Sequence, residues 1–473
     1  MPGDAANPAA RMAQGSALIH GPIGSTLFRF ALPVIGANAL QSLNGLINAA
    51  WVSHILGINA LAATSNANML LFLLLSAAFG IGMACNIFVA QAVGRGDTAE
   101  IKRVVGTGGG FFLTLSIIIG ALGFLLSPHV LTMMRTPDDV MRQAIAYLRM
   151  IFVATPFMYM FAFVMMIQRG GGDSRTPFLF MIVSVGLDVV LNPLLMRGIG
   201  PIPALGISGS ALSTVIAQAV GLIGMLAHMY RRNSPLLLRG RDLRYLRPHM
   251  PTLSRLIKKG VPMSLQMLIM SAAAVVMISF VNRFGARTIA AYGAASQLWA
   301  YIQMPAIGLG TSVSSMAAQN VGAGRWDRVS QITTTAVLSG FIFTAVLTAI
   351  TYIIGDPLMA FFLPGDPDAL DIARHINGIV LWGFILFSTT FILFGTVRAT
   401  GAVIPPLIIL VFSMWIVRIP FANHLMPSWG ADAIWWSFPL SAVLSNVCAI
   451  AYYRFGNWRR SRLMPPAGMA PAE

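Results

Sequence analysis

Apolar residues are gathered into about twelve runs, centred near residues 42, 79, 116, 155, 186, 218, 272, 305, 342, 385, 413 and 443. Each run offers about the 20 apolar residues that a helix needs to cross a hydrocarbon core roughly 30 Å thick. The pattern predicts an all-α integral membrane protein of about twelve transmembrane helices. Polar residues close to the apolar runs are few, and their places are informative because a polar group in lipid has to find its partner inside the protein.

The chain also repeats itself. A constant offset of 228 residues places Gly57 on Gly285, Ala62-Ala63 on Ala290-Ala291, Gly80 and Gly82 on Gly308 and Gly310, and Gln91 and Gly94 on Gln319 and Gly322. Pro177 falls on Pro405, and Pro33 on Pro262 with one residue of slip. Self-similarity at a fixed offset is the mark of an internal repeat. Two repeats of six spans each begin on the same side of the membrane. They are therefore expected to form two six-helix lobes related by a pseudo-two-fold axis along the membrane normal, an arrangement suited to alternating access. The expected boundaries are a disordered cytoplasmic tail at 1–26, an amino-terminal lobe at 27–230, a basic cytoplasmic linker at 231–259, a carboxy-terminal lobe at 260–455 and a second cytoplasmic tail at 456–473.

Composition narrows the class further. Of 473 residues, 56% are hydrophobic and 10% charged, with a mean hydropathy of +0.75; a soluble domain carries about 25% charged residues. The net charge of +16 would suit nucleic acid, but most of the Lys and Arg fall in the alternate, inward-facing segments. That is the positive-inside asymmetry, which predicts a multi-pass protein of the inner (plasma) membrane with both termini cytoplasmic and no nucleic-acid partner. Nine basic residues lie between Arg231 and Lys259, a topogenic loop that is also open to anionic lipid head groups. No cleavable signal peptide is evident. Cys85 and Cys448 both lie within apolar runs, without metal or redox spacing.

Asp188 is the carboxylate set deepest in an apolar run, Met181–Leu194. Such a residue carries a cost of roughly 2.5–3.5 kcal/mol on insertion scales and usually lines a polar cavity. Ser184, Asp188 and Asn192 recur every four residues and share a helix face, and Pro193 withdraws the usual donor from the carbonyl of residue 189. In the first run Asn38, Gln41, Asn44 and Asn48 occupy an arc of roughly 120°. Two readings of that stripe stand side by side: a helix contact held by amide hydrogen bonds, or the wall of a water-filled cavity. The second lobe has no equivalent carboxylate. Its candidate cavity residues are Gln266, Met267, Gln297 and Trp299, beside Asn38, Gln41 and Ser184 of the first lobe.

The stretch Leu32-Pro33 through Trp51-Val52-Ser53-His54-Ile55-Leu56-Gly57 to Ala63, the paired loops Ala90–Asp97 and Ala318–Gly324, and Arg169-Gly170-Gly171-Gly172-Asp173-Ser174-Arg175-Thr176-Pro177 together resemble the MATE family of multidrug and toxic compound extrusion transporters. The resemblance runs from about residue 25 to 455. It implies a monomeric antiporter, not an enzyme, that exports organic, cationic or amphipathic small molecules, including xenobiotics, against an inward cation gradient. It also implies no cofactor and no metal site, with H+ as the coupling ion ahead of Na+. Ion binding in the proton-coupled branch is assigned by the resemblance to a first-helix acidic position, which is Asn48 here, and to a fifth-helix pair, Asp188 and Asn192. Asn44 completes the candidate ion-coupling set. The sodium-type branch relies on carboxylates in the seventh and tenth helices, and this chain has none there.

Three alternatives remain open: a lipid-linked precursor or lipid flippase of the same superfamily, a sodium-coupled exporter, or a membrane enzyme or static subunit of a larger complex. A flippase calls for a cavity lined by several Arg residues, whereas Arg283, Arg398 and Arg418 are expected near the membrane interfaces. No enzyme motif occurs in the sequence, and His54 and His424 read as interfacial residues.

Overall fold

The computed structural model describes residues 16–133, 136, 138–198, 203–363 and 366–461. Twelve long helical rods account for nearly all of them. They are α1 (Ile23–Leu56), α2 (Ile58–Arg95), α3 (Thr98–Met133), α4 (Asp138–Gly170), α5 (Arg175–Arg197) and α6 (Ile207–Arg231), followed by α7 (Met250–Val281), α8 (Ala286–Gly322) and α9 (Trp326–Phe362). The series closes with α10 (Pro367–Val380 and Gly383–Ala399), α11 (Ile404–Trp429) and α12 (Asp432–Phe455). Ten rods are apolar enough over 18 residues to cross a membrane, and α10 qualifies once its two pieces, bent by 47°, are taken together. The twelfth, α8, is 37 residues long but diluted by Gly, Ala, Ser, Gln and Asn.

Helix ends follow from local chemistry. Gly96 adopts φ +71, a left-handed conformation open to glycine, and closes α2. Asp97 then starts α3 by accepting the Glu100 amide at 3.0 Å. In the same way Gly172, at φ +97, ends the turn after α4, and Asp173 accepts the backbone amides of Arg175 and Thr176 at 3.0 Å. The Arg169–Pro177 motif is thus, in part, a helix stop and a helix start.

The rods form two compact units. Among the described residues, one comprises Gly36–Ser264; the other takes 16–35 together with those from Leu265 onward. Each repeat therefore begins its first helix in the other unit, and the changeovers follow closely on Pro33 and Pro262, both inside helices. Glycines make the packing possible. A Cβ on Gly80 of α2 would run into the Ser264 backbone of α7, and one on Gly308 of α8 into Ile35 of α1.

Two expectations about the ends and the linker need correction. The first tail was expected to be disordered to residue 26, and residues 1–15 lie outside the described residues. From Ser16, however, the chain is ordered: Ala17–His20 is a short helix with Leu18 and Ile19 buried. Asn320 donates to the Leu18 carbonyl at 2.9 Å, Arg325 to Ile19 at 3.0 Å and Arg328 to Gly21 at 2.7 Å. The cause is that these carbonyls lie at the end of a short helix and meet donors from α8, the following turn and the start of α9. The linker expected at 231–259 is likewise no open loop. Gly240–Leu246 forms a 3₁₀ turn that lies against Gly106 and Gly110 of α3, with Lys102 paired to Asp242. Past it, α7 has already begun at Met250, and Arg255 joins Arg103 on Glu100. At the other end, residues 462–473 of the expected second tail lie outside the described residues. Before them Trp458 is 1% exposed and stacks on Tyr453 at 4.9 Å.

Candidate functional site

Asp188 sits in the middle of α5, 2% exposed, within the unit formed by Gly36–Ser264. Its two carboxylate oxygens are served by different chemistries. Asn44 Nδ2 and Asn48 Nδ2, both from α1, donate to Oδ2 at 2.9 Å each. On the other side Ser213 Oγ of α6 stands 2.6 Å from Oδ1, and Thr214 Oγ1 3.4 Å. Asn192 Nδ2, one turn beyond Asp188, donates to Asn48 Oδ1 at 2.6 Å. That bond turns the Asn48 amide so that its nitrogen faces the carboxylate. A buried carboxylate is tolerated when donors surround it.

Among these contacts Ser213 has a special position. Its hydroxyl has one hydrogen but two acceptors in reach, Asp188 Oδ1 at 2.6 Å and the Ser210 carbonyl at 2.8 Å. The hydroxyl can donate to only one of them at a time, and it can accept from Oδ1 only when that oxygen carries a hydrogen. Two amide oxygens at the same site, Asn44 Oδ1 and Asn192 Oδ1, are buried without a partner among the described residues.

The polar stripe of α1 divides between its two readings. Asn44 and Asn48 make the helix contact on Asp188, whereas Asn38 and Gln41 line a cavity of about 170 Å³ in the same unit. Asp188 is not part of that lining. Arg169 from the end of α4, Gln218 of α6 and Met181 of α5 are. Ser213 and Thr214 escaped the sequence reading because two hydroxyls in a Ser- and Ala-rich helix look like small packing residues. The available signal was their phase: Ser210, Ser213, Thr214 and Gln218 recur at helical spacing.

Other predicted cavity residues are placed in packing. Ser184 shares the face of Asp188 but donates to the Ala217 carbonyl at 3.1 Å. Gln266 donates to the Val403 carbonyl at 3.1 Å and accepts from Arg398 at 3.4 Å. Trp299 is 4% exposed in an aromatic core with Tyr292 and Phe438, its ring nitrogen 2.9 Å from Asn377 Oδ1. Its size and indole N–H both demand burial beside a partner, which this core supplies. Met267 and Gln297 are half-buried and line neither this cavity nor a smaller one beside Arg418. Two of the three arginines singled out in the sequence are surrounded by protein. Arg398 is 7% exposed and lies 5.1 Å over the Phe391 ring; Arg418 faces a cavity of about 40 Å³ within the second unit. Aromatic faces allow a guanidinium to be held inside. Arg283 is exposed. Among the described residues no three His, Cys, Asp or Glu side chains come together as a metal group.

Twelve long helices in two units, ten or eleven of them apolar enough to cross a membrane, and a carboxylate held by amides and hydroxyls inside one unit fit a polytopic transporter. The MatE family model matches the chain twice, over residues 33–194 and 262–423, and the chain belongs to this family of multidrug efflux transporters. A probable multidrug resistance protein of Bacillus subtilis, YoeA, is 34% identical over 92% of this chain and 94% of its own length. A second from the same organism, YpnP, is 29% identical over 94% and 98%. Among solved structures, an outward-facing multidrug resistance MATE family transporter of the MOP superfamily superposes with a TM-score of 0.84 at 19% identity, covering 96% of this chain and 98% of its own.

Proposed function

We propose that the protein exports amphipathic small molecules in exchange for protons, with Asp188 as the proton-carrying group. The observation that carries this reading is the asymmetric shell of Asp188: amide donors on one oxygen and hydroxyls on the other. An amide N–H cannot accept a proton, so the proton enters on Oδ1. There the protonated carboxyl donates to Ser213 Oγ, which keeps its own hydrogen on the Ser210 carbonyl. On release Ser213 rotates its hydrogen back to Oδ1. Both states are satisfied without moving a heavy atom, and a group that takes up and gives back a proton inside one lobe is what alternating access requires.

The energy suffices. One charge crossing 100 mV supplies about 2.3 kcal/mol, and at about 1.4 kcal/mol per decade this sustains a gradient of roughly 40-fold for a neutral compound. The same reading takes the monomer as the functional unit, in the plasma membrane with both chain ends cytoplasmic.

A second reading has its own observation. Asn44 Oδ1 and Asn192 Oδ1, buried without partners, are hard oxygen ligands beside a carboxylate, and such a set also suits Na+. One experiment separates the two. In proteoliposomes carrying an imposed ΔpH, export of a fluorescent amphipathic dye is expected in the parent and at background in Asp188→Asn. Export by Asp188→Asn at the parental rate overturns the proton assignment. Export driven by a Na+ gradient at constant pH, lost on Asn192→Leu, transfers the site to sodium.

A further inference from the structure

The 170 Å³ cavity of the first unit contains a charge that has no counterpart. Arg169 lines it, and among the described residues no hydrogen bond or ion pair engages its guanidinium; its Nε is buried and unpartnered. No carboxylate lines the cavity. Asp188, buried in the same unit, is engaged by Asn44, Asn48 and Ser213 and lies outside the lining.

Arg169 is half-buried, and its guanidinium keeps its charge in any protein environment. With Nε shielded from water and unpartnered, an anionic ligand in the cavity would supply the acceptor that the protein does not. The rest of the cavity specifies that ligand. Asn38, Gln41 and Gln218 add amide N–H donors, whereas the Tyr159 hydroxyl is already committed to the Leu74 carbonyl at 2.9 Å. The walls are Met158, Met165, Met166, Phe79 and similar side chains. Thioethers and rings of this kind accommodate apolar bodies of varied outline.

The second unit repeats the sign of the charge. Arg418 ends a π-helical stretch, Phe412–Arg418, and faces that unit's own cavity, which no carboxylate lines. Its Nε donates to Ser441 Oγ at 2.7 Å, and the guanidinium lies 4.6 Å over Phe438. π-bulges in helices are frequent at functional sites.

We propose that the first-unit cavity binds an amphipathic organic acid, its oxyanion head on Arg169 and its apolar body against the methionine wall, in place of the organic cations that the family resemblance implied. This rests on the reading of the protein as an exporter of amphipathic compounds, but the binding itself does not depend on proton coupling.

The test uses a charge-matched pair of probes, naphthalene-1-sulfonate and (1-naphthylmethyl)trimethylammonium. Each is measured by equilibrium dialysis against the full-length protein in phosphatidylcholine nanodiscs. The sulfonate is expected to bind more tightly than the ammonium. Arg169→Gln is expected to weaken the sulfonate at least tenfold without weakening the ammonium, and Arg169→Lys to restore part of the loss. If Arg169→Gln does not yield monodisperse protein, Gln41→Leu and Gln218→Leu take its place, each expected to weaken the sulfonate several-fold. Equal sulfonate binding to the parent and these variants, or tighter binding of the ammonium, overturns the proposal. Asp188→Asn keeps the two readings apart: it is expected to bind the sulfonate like the parent while failing to export it. A repeat in nanodiscs containing phosphatidylglycerol identifies the source of the oxyanion. Competition by that lipid assigns the site to a membrane lipid, and its absence assigns the site to a water-soluble acid; both outcomes support an oxyanion site.

Discussion

At the scale of single residues, the two sides of Asp188 are expected to respond differently to mutation. A hydrogen bond to a charged acceptor contributes about 1.5–3 kcal/mol, so Ser213→Ala should lower proton-driven dye export roughly tenfold or more. Thr214→Val should cost less than about threefold, because its hydroxyl stands 3.4 Å away at the edge of a useful bond. Initial rates in proteoliposomes decide this; a Thr214 variant worse than the Ser213 variant would reverse the assignment of the hydroxyl pair. Asn48→Asp tests the position where the resemblance implies an acid. It places a second carboxyl beside the first, where two such groups share one proton, and the pH profile of export should become broader and move to higher pH. Much of this site was legible in the sequence. An Asp deep in an apolar run and amides at helical spacing are strong signals because lipid makes polar side chains costly. The division of the stripe between the Asp188 contact and the cavity was not legible, since it depends on the neighbours that α5 and α6 supply.

At the scale of helices, glycine contacts and the strap after α6 set the expectations. Overpacking a tight contact costs about 1–3 kcal/mol. Gly80→Ala should fall at the upper end, because the obstacle is the Ser264 backbone. Gly308→Ala should cost nearly as much, because it meets Cγ1, Cβ and Cα at the root of Ile35, whose branched Cβ leaves χ1 little freedom to turn aside. Thermal unfolding in detergent gives both values. The Asp242 carboxylate on the strap is held below the usual carboxylate range, chiefly by the hydrogen bond from Lys102 and further by its charge. A carboxylate lowered in this way adds stability above its unfolded value, near pH 3.8, and loses that contribution as pH falls through the folded value. The pair is partly solvated, 28% and 23% exposed, so its worth is small, about 0.2–1 kcal/mol. Asp242→Asn should therefore melt slightly below the parent at pH 7 and together with it well below pH 3.8. The sequence showed this segment only as a basic linker. Its seat on Gly106 and Gly110 depends on glycines 130 or more residues earlier, which no local pattern reveals.

At the scale of the whole molecule, the repeat was readable from glycine and proline stations, yet the units do not coincide with the repeats. The first helix of each half starts in the unit built mainly from the other half. A fragment ending near residue 236 would leave Ile23–Ile35 without α8 and α9, and the second half would lack the α2 surface around Gly80 on which early α7 lies. Each half expressed alone is expected to be degraded or aggregated, while co-expression of the two restores a complex. A monodisperse, protease-resistant single half would count against this division.

The ordered segment at Leu18 has a consequence for synthesis. Its carbonyl is held by Asn320, 302 residues further along the chain. At about 5–20 residues per second, the ribosome needs some 15–60 seconds to make that partner. For that interval the short helix Ala17–His20 ahead of α1 waits without this partner for its Leu18 carbonyl. A chaperone or the insertion machinery then has a defined client state, and a drug or mutation that slows α8 would act on this short helix before the protein has ever moved a substrate.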